Sequence, residues 1–473
     1  LADMMIKESK ERVKSAIKNS GFNWPGGRIT VNLAPSDTKK AGSCYDLPIA
    51  LGILAATEQI NPSHLNNYSF LGELSLEGII RPIQGALSVS MAAAESPIKN
   101  MVLPYENAKE AAIITGVNVY PLRTLKAVVE FLNNPQSKMP FKVDNLDLFS
   151  KSAPYGIDFS DVKGQYLAKR ALEVAVAGRH NVLMIGSPGS GKSMLAKRLP
   201  TIMPDLSLKE ALEITCIHSA AGILYSEDGI VKKRPFRNLH HTISDVALAG
   251  GGTIPKPGEI SLAHYGVLFL DELPEFRRNC LETLRQPLED GFIRISRINK
   301  SLVYPSSFML VCAMNPCPCG YYTNPEKPCR CSPNKVESYK RKISGPLLDR
   351  IDIHISMPPI RYKELTDKTQ GESSAEIKKR VEEARSTQLE RFKDAGIFYN
   401  GQMDTSLVKK YCLLDDTSQD IIRMAMTEMK LSARAYDKIL KVSRTIADLA
   451  GEETIKPEHV LEAVQYRDLD RSW

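Results

Sequence analysis

Asn181-Val182-Leu183-Met184-Ile185 runs directly into Gly186-Ser187-Pro188-Gly189-Ser190-Gly191-Lys192-Ser193, and a helical pattern follows from Met194 to Leu199. The apolar run reads as a strand. The fixed positions G-x-x-x-x-G-K-[ST] then stand between a strand and a helix, the context a phosphate-binding loop needs. Its glycines let backbone N–H groups curl around phosphate oxygens, and the helix N-terminus adds partial positive charge. In that reading Lys192 reaches the β- and γ-phosphates and the Ser193 hydroxyl faces Mg²⁺.

Two more apolar runs extend the pattern. Gly266-Val267-Leu268-Phe269-Leu270 ends in Asp271-Glu272. Asp271 is placed to hold the Mg²⁺ shell and Glu272 to orient and deprotonate the attacking water. Phosphoryl transfer requires positioning and charge neutralisation more than covalent chemistry. Phe308-Met309-Leu310-Val311-Cys312-Ala313-Met314 ends in Asn315. A sheet that carries a phosphate loop brings its strand ends to the γ-phosphate, so Asn315 is a candidate for holding the water or that phosphate.

Around this centre, 473 residues suffice for two to four domains. The composition, 43% apolar and 25% charged, excludes disordered and fibrous classes, and there is no apolar run of about 18 residues to span a membrane. The chain opens Leu1-Ala2-Asp3 without Met or a signal-peptide pattern, which reads as a start cut back. Arg28 to Leu33 has a strand-like period of two, and Leu47 to Ala56 reads as a buried helix. The expected division is a domain over residues 1–135, a Pro-containing linker over 136–154, an α/β module over 155–360 and a helical segment over 361–473, with a last helix starting at Pro457.

The net charge of +7 is uneven: residues 146–360 hold 27 basic and 21 acidic side chains, which is most of the excess. Lys232-Lys233-Arg234-Pro235-Phe236-Arg237 has no acid until Asp245. Phe292 to Lys300, with Arg294, Arg297 and Lys300, reads as a hairpin returning through Leu302-Val303-Tyr304. Basic side chains on such loops track phosphates by charge, giving sequence-independent, salt-sensitive nucleic-acid binding. The alternative is a solvated hairpin face.

Nine cysteines, four of them within Cys317-Pro318-Cys319 and Cys329-Arg330-Cys331, point to a reducing, cytoplasmic compartment with one local cluster. Two thiolate pairs are a ligand set for structural Zn²⁺, although one residue between partners is tighter than the common spacing. Four unrelated reduced thiols are the alternative. An open catalytic zinc position is excluded if all four ligands are protein.

Together with Ser344-Gly345-Pro346-Leu347-Leu348-Asp349-Arg350, Leu431-Ser432-Ala433-Arg434-Ala435, Arg237 to Ser244 and Met314-Asn315-Pro316-Cys317-Pro318-Cys319-Gly320, these motifs resemble the ComM/YifB family of magnesium-chelatase-like AAA+ ATPases. Leu239 stands where that pattern expects Pro. The resemblance implies an AAA+ α/β module with a helical lid, ATP and Mg²⁺ as cofactors, and self-association into a hexameric ring. It makes Asn315 the first sensor, Arg350 the arginine finger for a neighbour's site and Arg434 the second sensor on the lid. It makes Val162, Gly164 and Gln165 the border of the adenine, and turns the 292–304 hairpin towards a central pore holding single-stranded or branched DNA. For Arg350 the alternative is a surface ion pair with Asp349 or Asp352, and for Arg434 a solvated helix arginine.

Gly72 to Ile83 resembles the peptidase domain of Lon proteases, an α+β fold like ribosomal S5 domain 2. That enzyme pairs a Ser nucleophile with a Lys base. Here the two positions fall at Asp46 and Leu87, neither able to do that chemistry, and Ser43 and Ser88 nearby have no Lys at matching spacing. Three functions follow for testing: an ATP-driven DNA helicase or branch-migration motor serving natural transformation, a chelatase-type ATPase subunit, and an ATP-dependent protease.

Overall fold

The computed structural model describes residues 3–34, 43–143, 155–224, 229–252, 256–297, 300–322, 324–325, 327–359, 371–467 and 469. They form two compact units, residues 1–152 with 208–232 and residues 153–207 with 233–473.

The larger unit is built on a five-stranded sheet. Its order is Ile353–Met357, Val182–Gly186, Met309–Met314, Val267–Leu270, Phe236–Leu239, with every neighbouring pair parallel. Side chains alternate between faces along a strand. Here that divides each apolar run between two cores. Val182, Met184, Val267, Phe269, Met309 and Val311 enter one cluster, and Leu183, Leu268, Leu270, Leu310 and Cys312 the other. Both faces are covered, so the strands are apolar at nearly every position rather than at every second one.

The first of these clusters also takes residues of the helices Ser374–Arg391, Ala433–Leu449 and Pro457–Gln465. The carboxyl-terminal helices therefore share a core with the sheet, and the sequence boundary at residue 360 does not separate two cores. Helix Pro457–Gln465 begins at the expected proline. Asp352 is a partly buried joint: its Oδ1 lies 3.1 Å from Lys438 Nζ on helix Ala433–Leu449, and its Oδ2 accepts the Asn181 N–H at the base of the phosphate-loop strand over 3.0 Å.

The amino-terminal unit carries a parallel sheet ordered Tyr68–Phe70, Asn100–Pro104, Asn118–Leu122. Helices Asp3–Asn19, Asp46–Ala56 and Leu125–Asn133 share its main core. Three sequence expectations change. Arg28 to Leu33 is irregular and has no ladder partner among the described residues, so the alternation alone does not make a strand. The start of the 136–154 linker belongs to this unit, with Phe141 N donating to Val119 O over 2.8 Å. Residues 144–154 lie outside the described ones. Residues 208–232, read from sequence as part of the α/β module, group with the amino-terminal unit. Helix Leu208–Ala221 is fixed there by Ser219 Oγ, which accepts the Gly85 N–H over 2.9 Å and bonds to buried Glu110.

Candidate nucleotide site

The loop between strand Val182–Gly186 and helix Lys192–Ile202 turns back because Gly189 and Gly191 sit at φ +81° and +91°, where a Cβ would be strained. Lys192 Nζ folds over the loop, donating to Gly186 O at 2.6 Å and Ser187 O at 3.1 Å, and lies 3.3 Å from Asn315 Oδ1. Burial lowers its pKa, partly offset by Asp271 and Glu272. Ser193 Oγ donates to Asp271 Oδ2 at 2.7 Å, so the two expected Mg²⁺ residues already touch. Asp271 Oδ1 accepts the Glu272 N–H at 3.0 Å. Glu272 itself is left-handed, at φ +57°, which turns its half-exposed side chain out of the sheet.

These residues fit a magnesium nucleoside triphosphate. A buried hydroxyl, Ser190 Oγ, has no hydrogen-bond partner among the described residues and sits inside the phosphate loop. The Ser193 hydroxyl and the Asp271 carboxylate form a hard oxygen donor set suited to Mg²⁺. The metal would neutralise phosphate charge. Lys192 would bind the phosphates, Asn315 hold Lys192 in place, and Glu272 take the proton from a water.

Gln165 also reaches this centre. Its φ of +55° turns its amide so that Nε2 donates to Pro358 O at 2.8 Å and Ser190 O at 3.2 Å. Val162 is buried, and its carbonyl accepts Lys169 Nζ at 2.6 Å. One residue was not legible as a site member: His241 Nδ1 lies 3.5 Å from Glu272 Oε2 and is placed to orient that carboxylate. Its signal in the sequence is the His240-His241 pair after strand Phe236–Leu239, which ends beside the strand bearing Asp271.

Arg350 and Arg434 are not brought to this chain's own phosphate loop. The Arg350 carbonyl accepts Asn181 Nδ2 at 2.8 Å, at the amino end of the strand whose carboxyl end carries the loop. Asn181 and Gly186 are five steps apart at about 3.3 Å each, which separates the two ends by about 16 Å. The Arg350 guanidinium pairs with Glu289 rather than with Asp349 or Asp352. Arg434 lies on the same side, 3.4 Å from Asp349.

The four clustered cysteines converge. Sγ–Sγ separations are 3.3 Å for Cys317–Cys319, 3.5 Å for Cys319–Cys329 and 3.7 Å for Cys317–Cys329, and all four sulfurs, Cys331 included, lie within 4.8 Å of one another. Tetrahedral Zn–S bonds of about 2.3 Å separate sulfurs by about 3.8 Å, so the cluster fits zinc with a small adjustment. Backbone N–H groups of Arg330 and Tyr321 favour the Cys319 thiolate, lowering its pKa to about 6.

The basic segments fare differently. Arg237 Nε and Nη2 bind both oxygens of Glu259 at 2.6 and 2.7 Å, a bidentate pair inside the unit that already partners its charge. Neighbouring Arg234 is buried on the carbonyls of Pro204 and Tyr265. Lys232 ends the amino-terminal unit and Lys233 begins the other, its Nζ 4.9 Å from the Tyr155 ring. In that stretch Arg234 and Arg237 are thus engaged within the unit, while Lys233 lies over an aromatic ring. The hairpin is formed: Phe292–Arg297 pairs antiparallel with Lys300–Pro305, Arg297 opposite Lys300 beside the turn. Ile293 and Ile295 are buried, whereas Arg294 is exposed opposite Val303. Side chains at 296–300 lie outside the described ones. A second, glycine-rich hairpin, Gly250–Gly251 with Lys256–Pro257, lies against it: a Cβ on Gly250 would come within 2.8 Å of Ile295 Cδ1. Lys256 there is exposed and was missed, because three consecutive glycines give no strand pattern.

In the amino-terminal unit, Asp46 is buried and accepts Ser9 Oγ at 2.7 Å and Arg12 Nε at 2.9 Å. Leu87 is buried in helix Ala86–Glu95. Ser43 bonds Glu73. The exposed Ser88 bonds Cys216.

Three family descriptions cover almost the whole chain. "Subunit ChlI of Mg-chelatase" matches residues 1–107, "Magnesium chelatase, subunit ChlI" residues 158–365, and "Magnesium chelatase, subunit ChlI C-terminal" residues 371–467. The chain is 44% identical to the competence protein ComM of Haemophilus influenzae and 42% identical to YifB of Escherichia coli, each alignment covering all of this chain and 91% of the relative. It is 29% identical to Lon protease 2 of Bacillus subtilis over 153 residues, 30% of this chain and 25% of that one. With a phosphate loop on a parallel sheet and relatives matched along the full length, the chain belongs to the ComM/YifB group of magnesium-chelatase-like AAA+ ATPases, with a Lon-like amino-terminal domain.

Proposed function

We propose that this chain is an ATP-hydrolysing, ring-forming DNA motor that moves strands or branch points during integration of incoming DNA. The observation that carries the reading is the position of Arg350 at the far end of the strand bearing the phosphate loop. An arginine there serves ATP only in a neighbouring subunit. Hydrolysis then requires assembly, which is a direct reason to build a hexameric ring. Arg434, beside Asp349, joins Arg350 in serving the neighbour rather than its own chain. Each site would combine Lys192, Ser193, Asp271, Glu272 and Asn315 of one subunit with both arginines of the next.

The hairpin tip, with Arg294, Arg297 and Lys300, and Lys256 on the adjoining hairpin, supplies the phosphate-tracking surface. The competence role of the Haemophilus relative supports incoming DNA as the substrate. The four cysteines hold one structural zinc. No helix among the described residues is long and apolar enough to cross a membrane, in keeping with work on cytoplasmic DNA. The decisive experiment is strand displacement on branched DNA with and without ATP; absence of ATP-dependent displacement by assembled protein defeats the reading.

The chelatase reading is favoured by the family descriptions and by 28% identity over 162 residues to the magnesium-chelatase 67 kDa subunit of Chlorobaculum parvum. ATP-dependent metal insertion into a tetrapyrrole, without DNA activity, would select it. Peptidase function is disfavoured by Asp46 being tied to Arg12 and Leu87 being buried. Casein hydrolysis dependent on Ser43 or Ser88 would restore it.

A further inference from the structure

Asn324 Nδ2 donates to Ser187 Oγ of the phosphate loop over 3.0 Å. Four residues earlier, Gly320 lies so close to the same loop that a Cβ there would come within 2.6 Å of Pro188 Cδ. Both residues belong to the segment between Cys319 and Cys329. Residues 315–332 contain no helix or strand among the described ones. The segment therefore lacks a backbone ladder to fix it. It also frames a cavity of about 320 Å³, with Gly186 and Ser187 on one side and Pro316, Tyr322 and Asn324 on the other. At its start, Asn315 Oδ1 stands 3.3 Å from Lys192 Nζ, two residues before Cys317.

We propose that the cysteine-bound segment is the second wall of the nucleotide site, and that a zinc ion at Cys317, Cys319, Cys329 and Cys331 sets the affinity of this site for ATP. This rests on the zinc reading above. A phosphate loop binds tightly when its N–H groups are held in place before the phosphates arrive, because ordering them on binding costs affinity. Gly320 against Pro188 and Asn324 on Ser187 provide that restraint from outside the loop. The metal provides it for the segment, since metal-ligand bonds contribute folding free energy to a loop with no core. Loss of zinc frees the segment, and the restraint on Ser187 and Pro188 goes with it. Asp271 and Glu272 follow another strand, so the metal carboxylate and the base lie outside the freed segment. Asn324 is a positioning residue in this scheme.

The test uses the full chain under reducing conditions. Zinc content is measured by atomic emission, and affinity by titration with a fluorescent N-methylanthraniloyl ATP in excess Mg²⁺. The titration is repeated after chelator stripping and dialysis, and again after zinc is returned. One zinc per chain is expected, with affinity roughly tenfold weaker when stripped and restored on return. Asn324→Ala keeps its zinc and binds the analogue about fivefold more weakly, with KM raised and kcat little changed. Circular dichroism of the stripped protein checks that the sheet remains. Stoichiometric zinc with unchanged affinity in both stripped and N324A protein overturns the coupling and leaves the zinc reading standing. Protein that neither carries nor takes up zinc overturns the metal site, and the proposal with it.

Discussion

Arg434 Nη1 lies 3.4 Å from Asp349 Oδ2, one residue before Arg350. Arg434 and Arg350 thus share one edge of the unit, away from the phosphate loop of their own chain. The proposal that both arginines serve a neighbour's ATP makes a specific mixing experiment informative. Arg350→Ala and Arg434→Ala should each bind ATP normally and lose turnover, Arg350→Ala by about 10³-fold or more. Lys192→Ala should lose binding. Mixing Lys192→Ala with either arginine variant should recover part of the turnover, since intact arginines then face intact phosphate loops. No recovery with R434A would return that residue to its own subunit's site.

Glu272→Gln keeps the shape of the site and removes the base. ATP should bind as in the parent while single-turnover hydrolysis falls by about 10²–10⁴-fold. His241→Ala, which leaves Glu272 in place without its 3.5 Å neighbour, should slow hydrolysis less than E272Q does. An H241A rate equal to that of the parent would show that the contact does not orient the carboxylate.

The two basic stretches should separate cleanly. Arg294→Ala, Arg297→Ala and Lys300→Ala combined should lose DNA binding while retaining ATPase activity, and should flatten the dependence of log affinity on log salt by about 2. Arg237→Ala should instead leave Glu259 without its bidentate partner and lower the melting temperature, with the salt slope intact. Equal DNA affinity in the triple variant would defeat the hairpin placement.

Asp352 gives a pH dependence. Burial alone would raise its pKa, but the Lys438 charge and His180 outweigh it and hold the carboxyl well below the usual range. A carboxyl depressed in the folded state contributes stability that is fully present above its unfolded pKa, about 3.9, and is lost as pH falls towards the folded value. Chemical denaturation between about pH 5 and pH 3 should therefore show stability falling with acid. Asp352→Asn should cost about 3 kcal/mol at neutral pH, because the largely buried Lys438 charge keeps only the Ile351 carbonyl as partner, and should flatten that acid slope. An unchanged slope would locate the acid sensitivity elsewhere.

Local sequence carried the chemistry of the ATP site because that chemistry is local. A phosphate loop is one strand, one turn and one helix start in consecutive residues, and the strands ending at Asp271 and Asn315 announce themselves by apolar runs closed by a polar side chain. The four cysteines were equally legible, being two short pairs. The roles of the arginines were not. Arg237 and Glu259 are 22 positions apart, and Arg434 and Asp349 are 85 apart. Whether a guanidinium meets a carboxylate, a phosphate or water depends on which segments fold against each other.

The same reason governs the units. Arg28 to Leu33 alternates like a strand, but a strand needs a partner for its N–H and C=O groups, and that partner is a matter of tertiary pairing. Residues 208–232 follow the phosphate-loop helix in sequence and pack with the amino-terminal unit, because Ser219 meets Gly85 and Glu110 there. Sequence by itself determined what this chain can bind, through spacing that places glycines, lysine and carboxylates at fixed offsets. Tertiary structure decided which end of the sheet each arginine occupies, since the length of one strand separates Arg350 from its own phosphate loop.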